Sequence, residues 1–257
     1  MTTRFSITEL PGDPPRVEKR GDPEASAREA AALVALAGRA WAPALLAHEP
    51  GRMVTARVPG EPRPLDGLAP ADARRLGAVL REVHESRRAG TGGLWWWDAP
   101  VPDLAAYREG RVADAEAALA GTPDAGLARR AAAGPAPPGD GFRLLHGDLV
   151  ALNILWAPDG PVLIDWEFHR LGDPAEDLAY LAELNGLPGT VLAGVLAGYA
   201  LPGMGARVEA WRGLVAADAG AWYLGQGMGD DAAAMLARAR ARAGISPGPP
   251  PRTGPAR

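Results

Sequence analysis

The chain has 257 residues, 47% of them hydrophobic and 23% charged, enough to bury the core of one large domain or two small ones. Its net charge of −4 argues against nucleic-acid binding, which needs a basic surface. There is no cysteine, so disulfides, zinc–thiolate centres and cysteine nucleophiles are excluded, and a cytoplasmic setting fits. Of the 27 basic residues only Lys19 is a lysine.

Met1 to Leu10 has no apolar run behind a basic start, so no signal peptide is expected. Residues 4–10 and 16–20 read as two short strands around the turn Pro-Gly-Asp-Pro-Pro. Residues 24–38 have a helical pattern, started by Asp22-Pro23 and stopped at Gly38. Residues 44–49 and 52–58 flank Pro50-Gly51 as a hairpin, and Pro59-Gly60 ends the strand-rich part. Pro70 opens a helix over 70–88 with Leu76, Val79, Leu80 and Val83 on one face. A further helix is expected over 103–120, then a loop over 134–141, a hairpin within 142–166, and helices to about residue 243. The uncharged run Thr190–Leu201 is too short to span a membrane and reads as a core helix. The tail from Ser246 has the composition of a disordered segment. The resulting division is a strand-rich part over 1–60, a helical part over 61–245, and a tail over 246–257.

The richest segment is residues 144–181, LLHGDLVALNILWAPDGPVLIDWEFHRLGDPAEDLAYL. A hairpin centred near Asp159 would set Asn153 opposite Asp165, with Asp148 on the loop entering the same end. Three oxygen-bearing side chains then converge at one end of a rigid hairpin. Such a set suits a hard divalent cation and phosphoryl transfer, in which a carboxylate accepts the proton of the attacking hydroxyl. On these residues, Asp148 would be the base, and Asn153 and Asp165 the metal ligands.

The motifs HGDLVALN, IDWE and GDPAEDLAYL resemble those of the aminoglycoside phosphotransferase and choline kinase-like family, relatives of the protein kinases. The resemblance implies an α+β, bilobal kinase-like fold, with a small, reduced β-rich N-lobe and a larger, mostly helical C-lobe. It implies Mg²⁺ and ATP or GTP, with Asp148 catalytic and Asn153 and Asp165 on the metal. His146 and Asp177 would support the catalytic loop, while Glu167 and Asp173 carry no single role. Lys19 on a strand and Glu29 on the first helix would form the ion pair that holds phosphates, with Arg20 and Glu24 as competing choices. The segment RMVTARVPGE resembles the lobe junction and makes Ala56 and Val58 nucleotide contacts through the main chain. His84 falls in the apolar helix pattern and reads as a packing residue. Only 18 residues precede Lys19 and Gly12 is the single glycine among them, leaving no room for a full phosphate-covering loop.

The implied acceptor is a hydroxyl on a small molecule, most like an aminoglycoside antibiotic. Such polycations need carboxylates, and Glu183, Glu209, Asp218, Asp230 and Asp231 are candidates. The run Trp95-Trp96-Trp97 offers core anchors, or a face for a sugar or quaternary ammonium; Trp97 is the candidate contact, with Trp211 and Trp222 behind it. A metabolite kinase for choline, a sugar or an amino alcohol shares the same motifs. A non-catalytic kinase-like binding protein, or a metal-dependent hydrolase using His146, Asp148, Asp165 and His169, are the readings outside that class. No nucleic-acid or membrane partner is expected, and the chain should be a monomer.

Overall fold

The computed structural model describes residues 5–132, 134, 139 and 141–245. The tail from Ser246 and most of the loop expected over 134–141 lie outside the described residues.

The first part is a four-stranded antiparallel sheet. Strands β1 (Phe5–Leu10) and β2 (Arg16–Gly21) pair with Phe5 opposite Gly21. Strands β3 (Leu45–Glu49) and β4 (Arg52–Ala56) form the next hairpin, and the order is β1-β2-β4-β3. Helix α1 (Pro23–Ala35) packs on this sheet. It starts where the sequence says: Asp22 caps it by accepting from the Ala25 N–H at 2.8 Å, and Pro23 fills the first turn. The strand signals do not end at Gly60, because β5 (Glu61–Pro62) lies against residues 155–156 of the later hairpin.

The second part is mostly helical. In chain order it contains α2 (Pro70–Ser86), β6 (Arg88–Ala89), α3 (Leu104–Leu119), α4 (Leu127–Ala131), β7 (Phe142–Leu145), β8 (Ile154–Ala157), β9 (Gly160–Leu163) and β10 (Arg170–Gly172). It closes with α5 (Pro174–Leu184), α6 (Gly189–Tyr199), α7 (Met204–Gly225) and α8 (Gly229–Arg242). Leu76, Leu80 and Val83 of α2 are fully buried, as their spacing predicts. Helices α2 and α6 cross at backbone contact: a Cβ at Gly77 would lie 1.9 Å from the Val195 carbonyl oxygen, and one at Gly198 the same distance from that of Arg74. The run Thr190–Leu201 is therefore the core helix α6, and among the described residues no helix is long and apolar enough to cross a membrane.

The hairpin expected within 142–166 is shorter than its sequence envelope. Only β8 and β9 form it; β7 instead lies between β10 and β6 in a separate sheet. Its turn is the two residues Pro158-Asp159, with Ala157 opposite Gly160. That register sets Asn153 beside Ile164, whose N–H donates to the Asn153 carbonyl at 3.0 Å. Asp165 therefore falls one residue beyond the ladder. It adopts a left-handed backbone (φ 65°, ψ 64°), which costs a non-glycine residue about 1–2 kcal/mol.

Candidate active site

The turn after β9 brings Asp165 to face the sheet. The Lys19 ammonium sits between two carboxylates, 2.7 Å from Glu29 Oε2 and 2.7 Å from Asp165 Oδ1. The Phe5 ring lies 4.0 Å away on a third side. Burial alone would lower Lys19, but the charges of Glu29 and Asp165 outweigh it and hold the ammonium above its usual value. Burial raises the Glu29 carboxyl, and Lys19 opposes that rise. The competing choices lie elsewhere: Arg20 turns to Glu18 at 2.6 Å, and Glu24 is exposed, 3.7 Å from Arg28.

Across the cleft, the loop 146–153 is held by side chains that bond its backbone groups. The fully buried Asp177 accepts from the His146 N–H at 2.7 Å and the Gly147 N–H at 2.9 Å, with the His84 ring at 3.2 Å. Burial would raise the Asp177 carboxyl, but the His84 hydrogen bond and nearby positive charge bring it below its usual value. Tyr199 closes this cluster at 2.9 Å from His84 Nδ1, so His84 packs and also bonds. Asn185 holds the next turn, accepting from the Ala151 N–H at 2.7 Å and donating to the Leu149 carbonyl at 2.8 Å. Gly147 is needed where it stands: its φ is 87°, and a Cβ would meet the Phe168 carbonyl oxygen at 2.2 Å.

His146 is committed to the loop through both ring nitrogens. Nδ1 accepts from the Asp148 N–H at 3.2 Å, and Nε2 faces the Ile164 carbonyl at 2.9 Å. An amide N–H only donates and a carbonyl only accepts, so the ring carries its proton on Nε2. Burial lowers its basicity, which keeps this neutral form. Asn153 turns its amide nitrogen to Asp148, at 3.0 Å from the carbonyl and 2.9 Å from Oδ2. Burial and the Asp165 charge raise the Asp148 carboxyl to about 6, against the Asn153 hydrogen bond.

Beside Asp148 opens a cavity of about 310 Å³. Its floor is a buried ionic network: Glu176 accepts from Arg111 at 2.9 Å, Arg170 at 2.8 Å and the Tyr107 hydroxyl at 2.7 Å. Arg111 also reaches Asp218 at 2.9 Å, and Tyr180 donates to the same carboxylate. Glu176 and Asp218 thus balance the two guanidinium groups. Asp114 lines the cavity too, accepting from the Trp96 and Trp97 indole N–H groups at 3.3 and 3.0 Å. It joins no ion pair among the described residues, so Asp114 and Asp148 give the cavity its net negative charge.

Of the residues expected to meet an acceptor, Asp218 lines this cavity, and Trp222 does as well. Glu183 does not; it is buried on another face, bridged to Arg212 and, at 2.8 Å, Arg242. Glu209 pairs with the same two arginines, while Asp230 and Asp231 sit in the first turn of α8. Trp97 is packed on Tyr107, with ring centroids 5.6 Å apart, and its neighbour Trp96 faces the cavity instead. Trp211 is buried and donates to Asp173, the N-cap of α5. Sequence reasoning missed Asp114, Arg111, Arg170 and Asn185, and from the tryptophan run it chose Trp97 where Trp96 lines the cavity. Asp114 lay one helical turn from Gly110, where Trp97 packs, but nothing in the local pattern marked it.

On the sheet side, the Ala56 N–H is taken by the Ala44 carbonyl at 2.9 Å, and the Val58 carbonyl accepts from Gly60 at 2.9 Å. The Val58 N–H has no backbone partner among the described residues. The β1–β2 turn, Pro11 to Pro15, contains three prolines without N–H groups, and the Arg16 guanidinium caps the Pro11 carbonyl at 3.0 Å.

A small antiparallel sheet and a larger helical part, with acidic residues facing a lone lysine across a cleft, define a kinase-like fold. The "Phosphotransferase enzyme family" model matches residues 14–212, and the chain belongs to that family. Over 185 residues it is 31% identical to the viomycin phosphotransferase of Streptomyces vinaceus, a match covering 65% of this chain and 62% of that protein. The chain thus matches less than two thirds of that relative's length. Choline kinase LicA from Streptococcus pneumoniae superposes with a TM-score of 0.71 at 16% identity, covering 95% of this chain and 90% of the other. A thermostable aminoglycoside phosphotransferase APH(4)-Ia mutant, in ternary complex with AMP-PNP and hygromycin B, gives 0.67 at 16% identity, covering 93% of each. At these identities the structures speak for the fold.

Proposed function

We propose that the protein is a small-molecule kinase that transfers the γ-phosphate of ATP or GTP to an acceptor hydroxyl, and that the acceptor is an aminoglycoside-like antibiotic. The observation that carries this reading is the Lys19 ammonium bridging Glu29 and Asp165 at 2.7 Å each, across the cleft from Asp148 and Asn153. The region over 1–60 serves the nucleotide and that over 61–245 the acceptor.

Asp148 is the group that orients the hydroxyl and takes its proton. A carboxyl at about 6 is ionised at neutral pH yet basic enough for this task. Lys19 holds the phosphates, and Glu29 holds Lys19. The donor set suits Mg²⁺: Asn153 turns its amide nitrogen inward to Asp148, which points its Oδ1 the other way, and Asp165 adds carboxylate oxygen. Asn153 and Asp165 would hold the ion, and its chemistry when bound is to neutralise phosphate charge. The Val58 N–H is the main-chain group of the 56–58 segment suited to the base. His146 and Asp177 keep the loop in place. The hydrolase alternative loses its support here, because both ring nitrogens of His146 are engaged and cannot bind metal.

The net negative cavity and the viomycin phosphotransferase relationship support a cationic antibiotic acceptor. A metabolite kinase is the second reading, favoured by a specific observation: Trp96 and Trp222 beside Asp114 suit a small amino alcohol or choline. A phosphorylation screen across aminoglycosides, other antibiotics, choline and sugars separates the two. Labelling of an antibiotic supports the first; labelling of choline or an amino alcohol alone replaces it with the second. No nucleotide-dependent thermal stabilisation at millimolar nucleotide and Mg²⁺ would sink both.

A further inference from the structure

Three consecutive tryptophans stand outside the phosphotransfer roles, and the structure gives each a different neighbour. Trp97 is an anchor: it packs over Gly110 of α3, where a Cβ would lie 2.6 Å from the indole. The Trp97 backbone N–H closes a turn onto the Leu94 carbonyl at 3.1 Å, and the turn is tied to β10 through the Gly93 N–H and Leu171 carbonyl at 3.0 Å. Trp96 faces the acceptor cavity. Trp95 faces the opposite way, toward α1. It is half exposed, and the Arg28 guanidinium lies over its ring at 3.9 Å. The Trp95 and Trp96 rings meet edge to face, 4.9 Å apart at 86°.

Arg28 is the residue before Glu29. Successive helix positions differ by about 100°, so while Glu29 reaches Lys19, Arg28 leaves the same helix toward the helical part. There its Nε also donates to the Glu167 carbonyl at 3.3 Å, in the turn that follows Asp165. A guanidinium stacks through its face and donates through its edge at once, which an ammonium cannot do. One side chain thus joins α1, the Asp165 turn and the tryptophan turn.

We propose that Arg28 and Trp95 form an interlock between α1 and the wall of the acceptor cavity. Nucleotide binding, which fixes Glu29 and Lys19, then also fixes Trp96. Arg28 is a positioning residue: it touches neither phosphate nor acceptor, and it acts through α1 and Trp95. The inference rests on the kinase reading above and adds to it an order, in which the nucleotide side shapes the acceptor side.

The test uses the full chain and Mg·AMP-PNP as probe. Calorimetry gives its affinity for wild type, Arg28→Ala, Arg28→Lys, Trp95→Ala, Trp95→Phe and the Arg28→Ala/Trp95→Ala double variant. Acrylamide quenching, with Trp95→Phe subtracted from wild type, isolates the Trp95 signal. Loss of one cation–π contact should weaken binding about three- to tenfold in Arg28→Ala and Trp95→Ala. The double variant should be no worse than either, and Trp95→Phe, which keeps a ring, should bind like wild type. Nucleotide should shield Trp95 from quencher in wild type and not in Arg28→Lys. A merely structural Arg28 would lower the melting temperature without this nucleotide-dependent signal. Should Arg28→Ala fail to fold, Arg28→Lys and the two Trp95 variants carry the same comparison. If wild type binds nucleotide but all variants match it and Trp95 is indifferent, the interlock is overturned alone. If wild type binds no nucleotide, the kinase reading falls and takes the interlock with it.

Discussion

On the helical side of the cleft, Asp148 sits in a loop whose N–H groups at 146, 147 and 151 end on the carboxylate of Asp177 and the amide of Asn185. On the sheet side, Lys19 reaches across from β2, whose outer neighbour β1 is mostly exposed, and its position depends on two carboxylates and one aromatic ring. The first wall is over-determined by buried hydrogen bonds, and the second is held by charge. A base must be fixed to a fraction of an ångström to take a proton, whereas a cation holding phosphates tolerates movement. The short turn over Pro11–Pro15 sharpens the contrast, because that wall offers few backbone donors of its own.

Substitutions on the two walls should therefore fail differently. Asp148→Ala should cut turnover by about 10²–10⁴-fold while nucleotide still binds, read from initial rates beside calorimetry. Asp177→Ala removes the acceptor of two buried backbone N–H groups and of His84, and should cost about 3–5 kcal/mol in a urea titration. Equal stability of this variant and wild type would break the comparison. Lys19→Met should weaken nucleotide binding by about 1.5–3 kcal/mol, roughly 10–150-fold, with a smaller loss of stability than Asp177→Ala. The smaller loss follows because burial already raises Glu29, which takes a proton when its partner is gone. A carboxyl raised on folding favours the folded state at low pH, so the stability gap between Lys19→Met and wild type should widen as pH rises.

The smallest effect is that of pH on the intact enzyme. In the proposed role Asp148 must be ionised to accept a proton, and its carboxyl is raised to about 6. Activity should therefore fall as pH drops through about 6, by roughly tenfold per unit below it, and stay flat from 7 to 8. Mg²⁺ held by Asn153 and Asp165 would move this limb lower. A limb that persists unchanged in Asp148→Asn would assign it to another group.

The ladder β1-β2-β4-β3 and its helix were legible, because turn residues and a capped amphipathic pattern are local signals. The pairing of Lys19 with Glu29 was implied by the family resemblance alone, and the two side chains stand 2.7 Å apart. The hairpin register was misjudged by one residue: polarity alone does not tell a turn centred on Asp159 from the two-residue turn Pro158-Asp159, and that slip moved Asp165 off the ladder into its left-handed turn. Glu183 read as a carboxylate for the acceptor and is instead buried on another face, since its arginine partners come from α7 and α8, far along the chain. Asp114, and the choice of Trp96 over Trp97 within the tryptophan run, were illegible for the same reason. Their meaning comes from a cavity that α3, α7 and the loops around Asp148 and Trp96 build together, and no short window contains those pieces.

The division of labour between the two walls is tested most directly by one titration, calorimetry of Mg·AMP-PNP into wild type, Lys19→Met and Asp148→Ala under one condition. The expected result is binding to wild type and Asp148→Ala with similar dissociation constants, and a loss of about tenfold or more for Lys19→Met. Binding that survives in Lys19→Met and disappears in Asp148→Ala would contradict it.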